Sequence, residues 1–490
     1  MSTPMRLAEL IGAEAGRHGD IVVHGLSLDS RAVGVGDAFV ALKGGTAHGI
    51  TFARKAFEQG AAVVLAEAPA PSAFDAVEPV IWLDGLRARA GAIAARFHGE
   101  PSRTLRTIGV TGTNGKTSTV QLLAQALTAL GATAATIGTL GAGLHGRIVE
   151  GERTTPDAIS LQGLFADFRD AGAGYVAMEV SSHALEQGRV NAVDFVAAVF
   201  TNLTRDHLDY HGTMEAYGAA KARLFVWPGL KHAVVNVDDA FGRELVAQIA
   251  DGVQLLRTGV DNADADVRAT NVVTSTAGIA FDLSTPWGSA PVRTSLLGRF
   301  NVANLLGVVA TLGALGFEFS AIVATVAQLT PVDGRMNRLG GDANAPLVVV
   351  DYSHTPDSLE QALTSLRAHC DGKLYCVFGC GGDRDAGKRP IMGGIAERLA
   401  DVAIVTDDNP RTEDGDAIVA AVVAGFADRS RAVVQRDRAQ AIAWAVGNAQ
   451  PGDVVLIAGK GHEPYQEIGG KKFPFDDLVE ARKALEKRPC

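Results

Sequence analysis

Hydrophobic residues alternate between two patterns along this chain of 490 residues. Short runs of β-branched and aliphatic residues predict buried strands, and longer segments with an apolar residue every three or four positions predict helices between them. The predicted strands cover residues 61–66, 80–83, 104–110, 175–180, 195–200, 233–237, 347–352, 373–379, 402–406 and 453–458. Strands that alternate with helices are typical of doubly wound α/β sheets. We therefore predict an α/β fold.

Two interruptions divide this pattern. Residues 98–102 read His-Gly-Glu-Pro-Ser, which is typical of a linker, and residues 331–335 again combine proline with glycine. The length also favours about three domains, which we place at residues 1–100, 101–335 and 336–490. Because ligands of such sheets bind beyond the carboxyl ends of the strands, we expect the two larger α/β units to face one another across a cleft.

Composition narrows the class of protein. A net charge of -10 argues against a nucleic-acid partner, and 47% hydrophobic with 20% charged residues is typical of a soluble globular protein. The sequence shows neither an export signal nor an apolar run long enough to cross a bilayer, so we expect a cytoplasmic location. The four cysteines, Cys370, Cys376, Cys380 and Cys490, predict inert thiols rather than a disulfide framework or a zinc site.

Residues 109–118, GVTGTNGKTS, carry the clearest candidate chemistry. They lie between a predicted strand and an amphipathic helix that ends at Gly131. A glycine-rich turn before a helix favours phosphate, Lys116 can reach terminal phosphates, and Thr117 can ligate a metal ion. The strict phosphate-loop pattern is not met, because Val110 stands where its first glycine is needed. ATP binding is the favoured prediction, and a glycine-rich turn with a surface lysine is the alternative.

Oxygen-bearing side chains near the next strands indicate a metal site. Magnesium prefers oxygen ligands, and Glu179 at the end of the strand at 175–180 fits that preference together with Thr117. His207, beside Asp206, is predicted to be functional and to lie at a strand end. His211 is predicted to be a hydrogen-bonded structural residue.

Eight ordered segments resemble the Mur ligase family of amide-forming enzymes, and among them its diaminopimelate-adding members. The segments are TGTNGKTS, MEVSSHALEQGRV, TNLTRDHLDYHGTMEAYGAAKARLF, GRFNVANLLG, DYSHTPDSL, GCGGDRDAGKRP, DNPRTE and GKGHE. The resemblance implies an N-terminal α/β domain for a uridine nucleotide, a central doubly wound phosphate-loop ATPase domain and a C-terminal Rossmann-like domain that receives the amino acid. We expect a monomer.

The same resemblance implies a reaction. ATP and Mg²⁺ would convert the D-glutamate side-chain carboxylate of UDP-N-acetylmuramoyl-L-alanyl-D-glutamate into an acyl phosphate. The amine of meso-2,6-diaminopimelate would then attack the acyl phosphate and form an amide, a step of peptidoglycan precursor synthesis.

The resemblance assigns site residues by position. The ATP set is Gly112, Thr113, Asn114, Gly115, Lys116, Thr117, Ser118, Asn304 and Arg335. The catalytic and metal set is Lys116, Thr117, Glu179, His207 and Lys221, the last as a carbamate (N6-carboxylysine). The uridine-substrate set is Leu28, Ser30, Thr154, Thr155, Ser181, Gln187 and Arg189. The diaminopimelate set is Arg384, Asp408, Asn409, Pro410, Arg411, Gly459 and Glu463.

Some positions depart from the family pattern or admit another interpretation. Arg153 stands where related enzymes often have asparagine, and residues 44–48 match weakly. Arg411 can grip the distal carboxylate of diaminopimelate, which lysine lacks, through two hydrogen bonds, although its segment by itself is also typical of a turn. Two rival functions are a folylpolyglutamate synthetase and a nucleotide-dependent switch that joins nothing.

Overall fold

The computed structural model describes residues 3–45, 47–72, 79–151, 153–260, 262–342 and 344–488. Cys490, and Thr46 in the weakly matching loop at 44–48, lie outside the described residues. The chain forms two compact units. One contains Met1–Val267 and Leu306–Ile322, and the other contains Arg268–Leu305 and Val323–Cys490.

The first unit begins with a small sheet that is covered on both faces. Its four parallel strands are, in spatial order, Leu26–Ser27, Ala38–Ala41, Val63–Glu67 and Val80–Leu83. Alternate residues of Ala38–Ala41 enter two separate apolar clusters, as the two-residue period of a strand requires. A second, two-stranded sheet pairs Met5–Arg6 with Val22–Val23.

A larger sheet follows in the same unit. In spatial order, the strands of this sheet within the first unit are Arg147–Val149, Gly141–Leu144, Ala134–Gly138, Tyr175–Glu179, Arg106–Thr111, Phe195–Phe200, His232–Asn236 and Gln254–Val260. All neighbours are parallel except the first two pairs. The carboxyl ends of Tyr175–Glu179, Arg106–Thr111 and Phe195–Phe200 therefore meet at one edge, where a doubly wound sheet binds its ligands.

Helices connect these strands. Those up to residue 246 are Leu7–Ile11, Ala53–Glu58, Leu86–Phe97, Lys116–Ala129, Ala158–Asp170, Ser182–Glu186, Leu208–His211, Met214–Ala222 and Ala240–Val246. Two further helices are Arg299–Ala314 and Phe319–Val326. Short 3-10 segments are Gly12–His18, Gly49–Phe52, Pro101–Thr104, Arg223–Val226 and Arg429–Arg431.

The second unit contains a six-stranded sheet. In spatial order, its strands are Asn337–Gly340, Leu347–Asp351, Val454–Ala458, Leu374–Phe378, Val402–Val405 and Ala432–Val434, and only the first pair is antiparallel. The other strands are Val267–Ser275, Gly278–Thr285, Gly288–Thr294 and the hairpin Tyr465–Ile468 with Lys471–Pro474. Its helices are Pro356–Arg367, Lys388–Leu399, Gly415–Val423, Arg438–Asn448 and Asp477–Glu486.

The structure confirms the predicted strands with shifts of at most two residues at their ends. The largest shifts are at the strands predicted for 61–66 and 104–110, which span Val63–Glu67 and Arg106–Thr111. Cys376 and Cys380 are buried, and burial raises the pKa of the Cys380 thiol to about 11. No helix within the described ranges is both long and apolar enough to cross a bilayer.

Candidate active site

The glycine-rich loop joins strand Arg106–Thr111 to helix Lys116–Ala129. Gly112 and Gly115 have φ angles of 148° and 85°, a region that glycine enters at little cost. A Cβ atom at Gly112 would also collide with Thr201 Oγ1. The Asn114 N–H donates to Asn202 Oδ1 at 2.9 Å, and Thr201 Oγ1 donates to the Asn114 carbonyl at 2.6 Å. The loop is therefore held by the residues that follow strand Phe195–Phe200.

Two lysine side chains converge on this loop. Lys116 Nζ donates to the carbonyls of Gly112 and Thr113 at 2.9 Å each, and Lys221 Nζ donates to the Gly112 carbonyl at 2.8 Å. Lys221 is 1% exposed, and its Nζ lies 4.2 Å from the centre of the Tyr217 ring. Burial and the nearby Lys116 ammonium lower the pKa of Lys221 to about 6. Its amine is therefore neutral at neutral pH.

A buried carboxylate adjoins the loop. Glu179 is 1% exposed, and its Oε1 accepts hydrogen bonds from Thr117 Oγ1 at 2.9 Å and from the Thr139 N–H at 2.8 Å. No group of three or more His, Cys, Asp or Glu side chains that could hold a metal ion occurs among the described residues. A cation at Thr117 and Glu179 would therefore also need other oxygen ligands. The sequence interpretation missed Thr139, although it directly follows strand Ala134–Gly138.

The structure corrects the predicted position of His207. It does not lie at a strand end but at the start of the short helix Leu208–His211, with a left-handed φ of 53°. Its Nε2 is 3.4 Å from Asp206 Oδ2, and its ring centre is 4.8 Å from that of His183. His211 Nε2 lies 2.9 Å from Ser182 Oγ, which confirms it as a hydrogen-bonded residue. The role of His207 in metal binding stays a prediction.

Four of the residues assigned to the uridine substrate form one network beside Glu179. Thr155 Oγ1 donates to the Glu179 carbonyl at 2.8 Å and accepts from the Ser181 N–H at 3.2 Å. Arg189 Nη1 donates to the Thr155 carbonyl at 3.1 Å, and its Nε donates to Gln187 Oε1 at 2.9 Å. Burial, with a smaller effect from Arg153, lowers the pKa of Arg189.

A cavity of about 1380 Å³ contains the N-terminal candidates. Leu28 and Ser30 line it together with Arg153, and Ser30 is 7% exposed. Arg31 pairs with Asp29 at 2.7 Å in the same wall and lowers the pKa of that carboxyl to about 2. Thr154 is placed beside Thr139, with their hydroxyl oxygens 3.1 Å apart. The cavity thus brings together residues from distant parts of the sequence within the first unit.

In the second unit, contacts of both its main chain and its side chain hold Arg411 in place. Its main chain has a left-handed φ of 52°. Its N–H donates to the Glu467 carbonyl at 2.9 Å, and it forms a parallel bridge with Ile468 of the hairpin. The guanidinium Nη1 donates to the Gly382 carbonyl at 2.7 Å, and Nε is 3.5 Å from Glu467 Oε2. Its Nη2 makes no hydrogen bond with any residue that the structure describes.

A polar cluster lies next to Arg411. Asn409 Nδ2 donates to Glu463 Oε2 at 2.8 Å, and Asn409 Oδ1 accepts from Lys460 Nζ at 3.0 Å. Lys460 Nζ is also 3.6 Å from Asp408 Oδ1. The sequence interpretation missed Lys460, although it lies inside the GKGHE segment.

The remaining candidates of the second unit are less closely associated. Gly459 has a φ of 121° and packs beside Asp408, and Pro410 is buried, whereas Arg384 is exposed. Asn304 Nδ2 donates to Asn301 Oδ1 at 3.0 Å, and the Arg335 guanidinium lies 5.1 Å from the centre of the Tyr352 ring.

A buried ion pair supports the strand ends that carry these residues. Arg438 and Asp477 have fully buried side chains, and their closest nitrogen–oxygen distance is 2.7 Å. Arg438 Nη2 also donates to the Ala458 carbonyl at 3.1 Å, directly before Gly459. The pair thus joins helix Arg438–Asn448 and helix Asp477–Glu486 to the end of strand Val454–Ala458.

Models of known families match three successive segments of the chain. The Mur ligase family catalytic domain matches residues 22–98, the Mur ligase middle domain residues 110–312, and the Mur ligase glutamate ligase domain residues 334–461. The chain belongs to the Mur ligase family. This result confirms the predicted family and its three α/β domains, whereas the boundaries at residues 100 and 335 stay predictions.

Individual relatives of this Mur ligase extend over almost its whole length. It is 57% identical over 488 residues to the UDP-N-acetylmuramoyl-L-alanyl-D-glutamate–2,6-diaminopimelate ligase of Xanthomonas oryzae, covering 99% of this chain and 98% of that protein. The ligase of the same name from Xylella fastidiosa is 54% identical with the same coverage. A solved structure of a ligase with this name has a TM-score of 0.76 and 39% identity, covering 99% of both chains.

Proposed function

We propose that this Mur ligase uses ATP and Mg²⁺ to join meso-2,6-diaminopimelate to the D-glutamate side chain of UDP-N-acetylmuramoyl-L-alanyl-D-glutamate, a step of peptidoglycan precursor synthesis. The observation that carries the proposal is the convergence of Lys116, Lys221 and the Thr117–Glu179 pair at one glycine-rich loop. Phosphoryl transfer depends on cations and metal ligands that are held in position around the phosphates. The names of relatives that are 50–57% identical support the choice of substrates.

The loop residues would serve the activation of the carboxylate. A carboxylate is a weak electrophile with a poor leaving group, so it must become an acyl phosphate before an amine can displace phosphate. Lys116 would neutralise charge on the transferred phosphoryl group. Thr117 and Glu179 provide oxygen atoms of the kind that Mg²⁺ prefers, and the ion would neutralise further phosphate charge.

Carbamylation of Lys221 fits its surroundings. Carbon dioxide reacts with a neutral amine, and the lowered pKa of about 6 keeps this amine neutral at neutral pH. The resulting carbamate retains one N–H, which can still donate to the Gly112 carbonyl that now accepts from Nζ. The modification would thus add an anionic metal ligand next to Lys116 without removing the contact that holds the side chain.

The two substrates would use different groups of residues. The uridine substrate would occupy the cavity lined by Leu28 and Ser30, with Arg189 beside its acidic end. Diaminopimelate would present a carboxylate to Arg411 and an ammonium group to Glu463 and Asp408. The availability of Arg411 Nη2 supports this assignment, because a carboxylate can accept from it. ATP and UDP-linked precursors are cytoplasmic metabolites, so we propose that the enzyme acts in the cytoplasm. We also propose that it is a monomer.

The decisive experiment measures phosphate release with each substrate omitted in turn. We expect release to require ATP, the muramoyl dipeptide and an amino acid together, with meso-diaminopimelate strongly preferred over lysine. Phosphate release without the amino acid would favour a nucleotide-dependent switch. Addition of glutamate to a folate substrate would favour a folylpolyglutamate synthetase. Either result would remove the proposal.

A further inference from the structure

Lys460 is a fully buried cation with no role in the proposed reaction. Its side chain is 0% exposed, whereas lysine is almost never completely buried unless it is paired. It lies between Gly459 and Gly461, immediately after strand Val454–Ala458. Its burial therefore calls for a compensating arrangement of charge, which the neighbouring residues provide.

Two hydrogen-bond acceptors and one further carboxylate, from two separate segments, surround the Lys460 ammonium. Nζ lies 3.0 Å from Asn409 Oδ1, 3.3 Å from Glu463 Oε2 and 3.6 Å from Asp408 Oδ1. The Tyr465 ring lies on another side, with its centre 5.7 Å away. Lys460 thus connects the segment after strand Val402–Val405 to the segment after strand Val454–Ala458.

These contacts orient Glu463. Both Lys460 Nζ and Asn409 Nδ2 address the same carboxylate oxygen, Oε2, at 3.3 and 2.8 Å. Oε1 accepts no hydrogen bond from any residue in the described part of the chain. Two donors on one oxygen restrict rotation of the carboxylate, so the other oxygen is held in one direction.

The cluster also has an unequal charge. Asp408 and Glu463 contribute two carboxylates, whereas Lys460 contributes one ammonium group. One negative charge therefore remains, in a place where Asp408 is 9% and Glu463 23% exposed. Weak solvent screening makes such a site suited to one additional ammonium group.

We propose that Lys460 is a positioning residue that holds Glu463 and Asn409 in place for the ammonium group of the incoming amino acid. This inference rests on the proposed function. Lys460 does not touch the substrate but acts through Glu463, so its removal should weaken the capture of diaminopimelate and leave the binding of ATP and of the muramoyl dipeptide unchanged.

The test compares Lys460→Met, Lys460→Gln, Glu463→Gln and the double variant Lys460→Met/Glu463→Gln in the full-length enzyme. Lys460→Met should raise the KM for meso-diaminopimelate about tenfold or more, the scale of one lost charge-assisted hydrogen bond. The KM values for ATP and the muramoyl dipeptide should stay within about twofold of wild type. Lys460→Gln retains a donor for Asn409 and should show a smaller increase.

The double variant separates positioning from a general loss of structure. If Lys460 acts through Glu463, its removal should add little once Glu463 is already Gln, since coupled residues are not additive. Lys487→Gln, at an exposed position after helix Asp477–Glu486, is the matched control and should resemble wild type. If Lys460→Met does not fold, Lys460→Gln alone and combined with Glu463→Gln provides the same comparison.

Two results would overturn the inference. One is a parallel increase of all three KM values, and the other is full additivity of the Lys460 and Glu463 substitutions. Its failure is distinguishable from failure of the proposed function. A wild-type enzyme that adds no diaminopimelate refutes the function itself, whereas normal wild-type activity with uniformly impaired Lys460 variants refutes only the role of Lys460.

Discussion

At the scale of single residues, the candidate residues of the two units include lysines in three different environments. Lys116 is partly exposed at the start of a helix, Lys221 is buried beside a loop carbonyl, and Lys460 is buried among acidic groups. These surroundings suit the same side chain to three proposed roles: a phosphate-binding cation, a reactive amine and a fixed internal charge. Surroundings, and not residue type, determine which of these roles is available.

The reactivity of Lys221 should depend on pH. In ¹³C-bicarbonate, NMR should detect a carbamate on the wild-type enzyme at neutral pH, and the signal should disappear as the pH falls through about 6, because protonation removes the nucleophilic lone pair. Lys221→Ala should lack both the signal and activity, and bicarbonate should not restore them. The exposed Lys231→Ala is the control. Full activity of Lys221→Ala would refute the carbamate role.

Arg411 should determine the preference for diaminopimelate over lysine. Arg411→Ala keeps a Cβ atom at the same left-handed position, so the backbone strain is unchanged. We expect a higher KM for diaminopimelate and a loss of about 2 kcal/mol of discrimination, the scale of a lost charge-assisted hydrogen bond. The exposed Arg429→Ala serves as the control. Unchanged discrimination in steady-state kinetics would exclude Arg411 from selectivity.

At the scale of elements, many of the candidate residues lie at or just after the carboxyl ends of strands. The hairpin Tyr465–Ile468 with Lys471–Pro474 also supports a candidate residue, because Ile468 forms a main-chain bridge with Arg411. A glycine near Arg411 also affects the position of its side chain. A Cβ atom at Gly381 would be 2.7 Å from Arg411 Nη1, so the Arg411 side chain would have to move to avoid it.

Gly381→Ala should therefore change selectivity with little effect on folding. We expect the displaced guanidinium to raise the KM for diaminopimelate several-fold, while the melting temperature stays near that of wild type. Gly447→Ala, where a Cβ atom meets nothing within 4 Å, is the control and should stabilise its helix by about 0.5–1 kcal/mol. A large loss of melting temperature in Gly381→Ala would contradict this account.

Elements were easier to predict than contacts. An apolar run located the strand Phe195–Phe200 to the residue, because burial on both faces leaves a strong local signal. The contact between Lys221 and Gly112 joins residues 109 positions apart, and Lys460 and Asn409 are 51 apart. Sequence periodicity does not show which residues that are far apart in the chain come into contact. The burial of both lysines therefore became apparent only in the structure.

At the scale of the whole molecule, each compact unit contains its own group of candidate residues, held by polar contacts within that unit. The first unit holds the loop, Glu179 and the cavity, and the second holds Arg411 and the Lys460 cluster. The use of both sets in a single reaction pocket stays a prediction. In the second unit, the Arg438–Asp477 ion pair supports the carbonyl of Ala458, which directly precedes the proposed amino-acid residue Gly459.

Loss of that ion pair should destabilise the protein strongly. Asp477→Ala leaves a guanidinium buried without its counter-ion, which costs about 3–5 kcal/mol. Asp476→Ala, which removes only the helix N-cap, should cost about 1 kcal/mol. Chemical denaturation followed by circular dichroism compares the two variants. Equal losses in both would show that Arg438 does not require Asp477.

The pairing of Arg438 with Asp477 also has a consequence during synthesis. The two residues are 39 positions apart, and the carbonyl of Ala458, which Arg438 supports, lies between them in the sequence. A nascent chain that has not yet released residue 477 from the ribosome has no counter-ion for this guanidinium. Support of the Ala458 carbonyl by a charge-paired Arg438 is therefore complete only after residue 477 has left the ribosome.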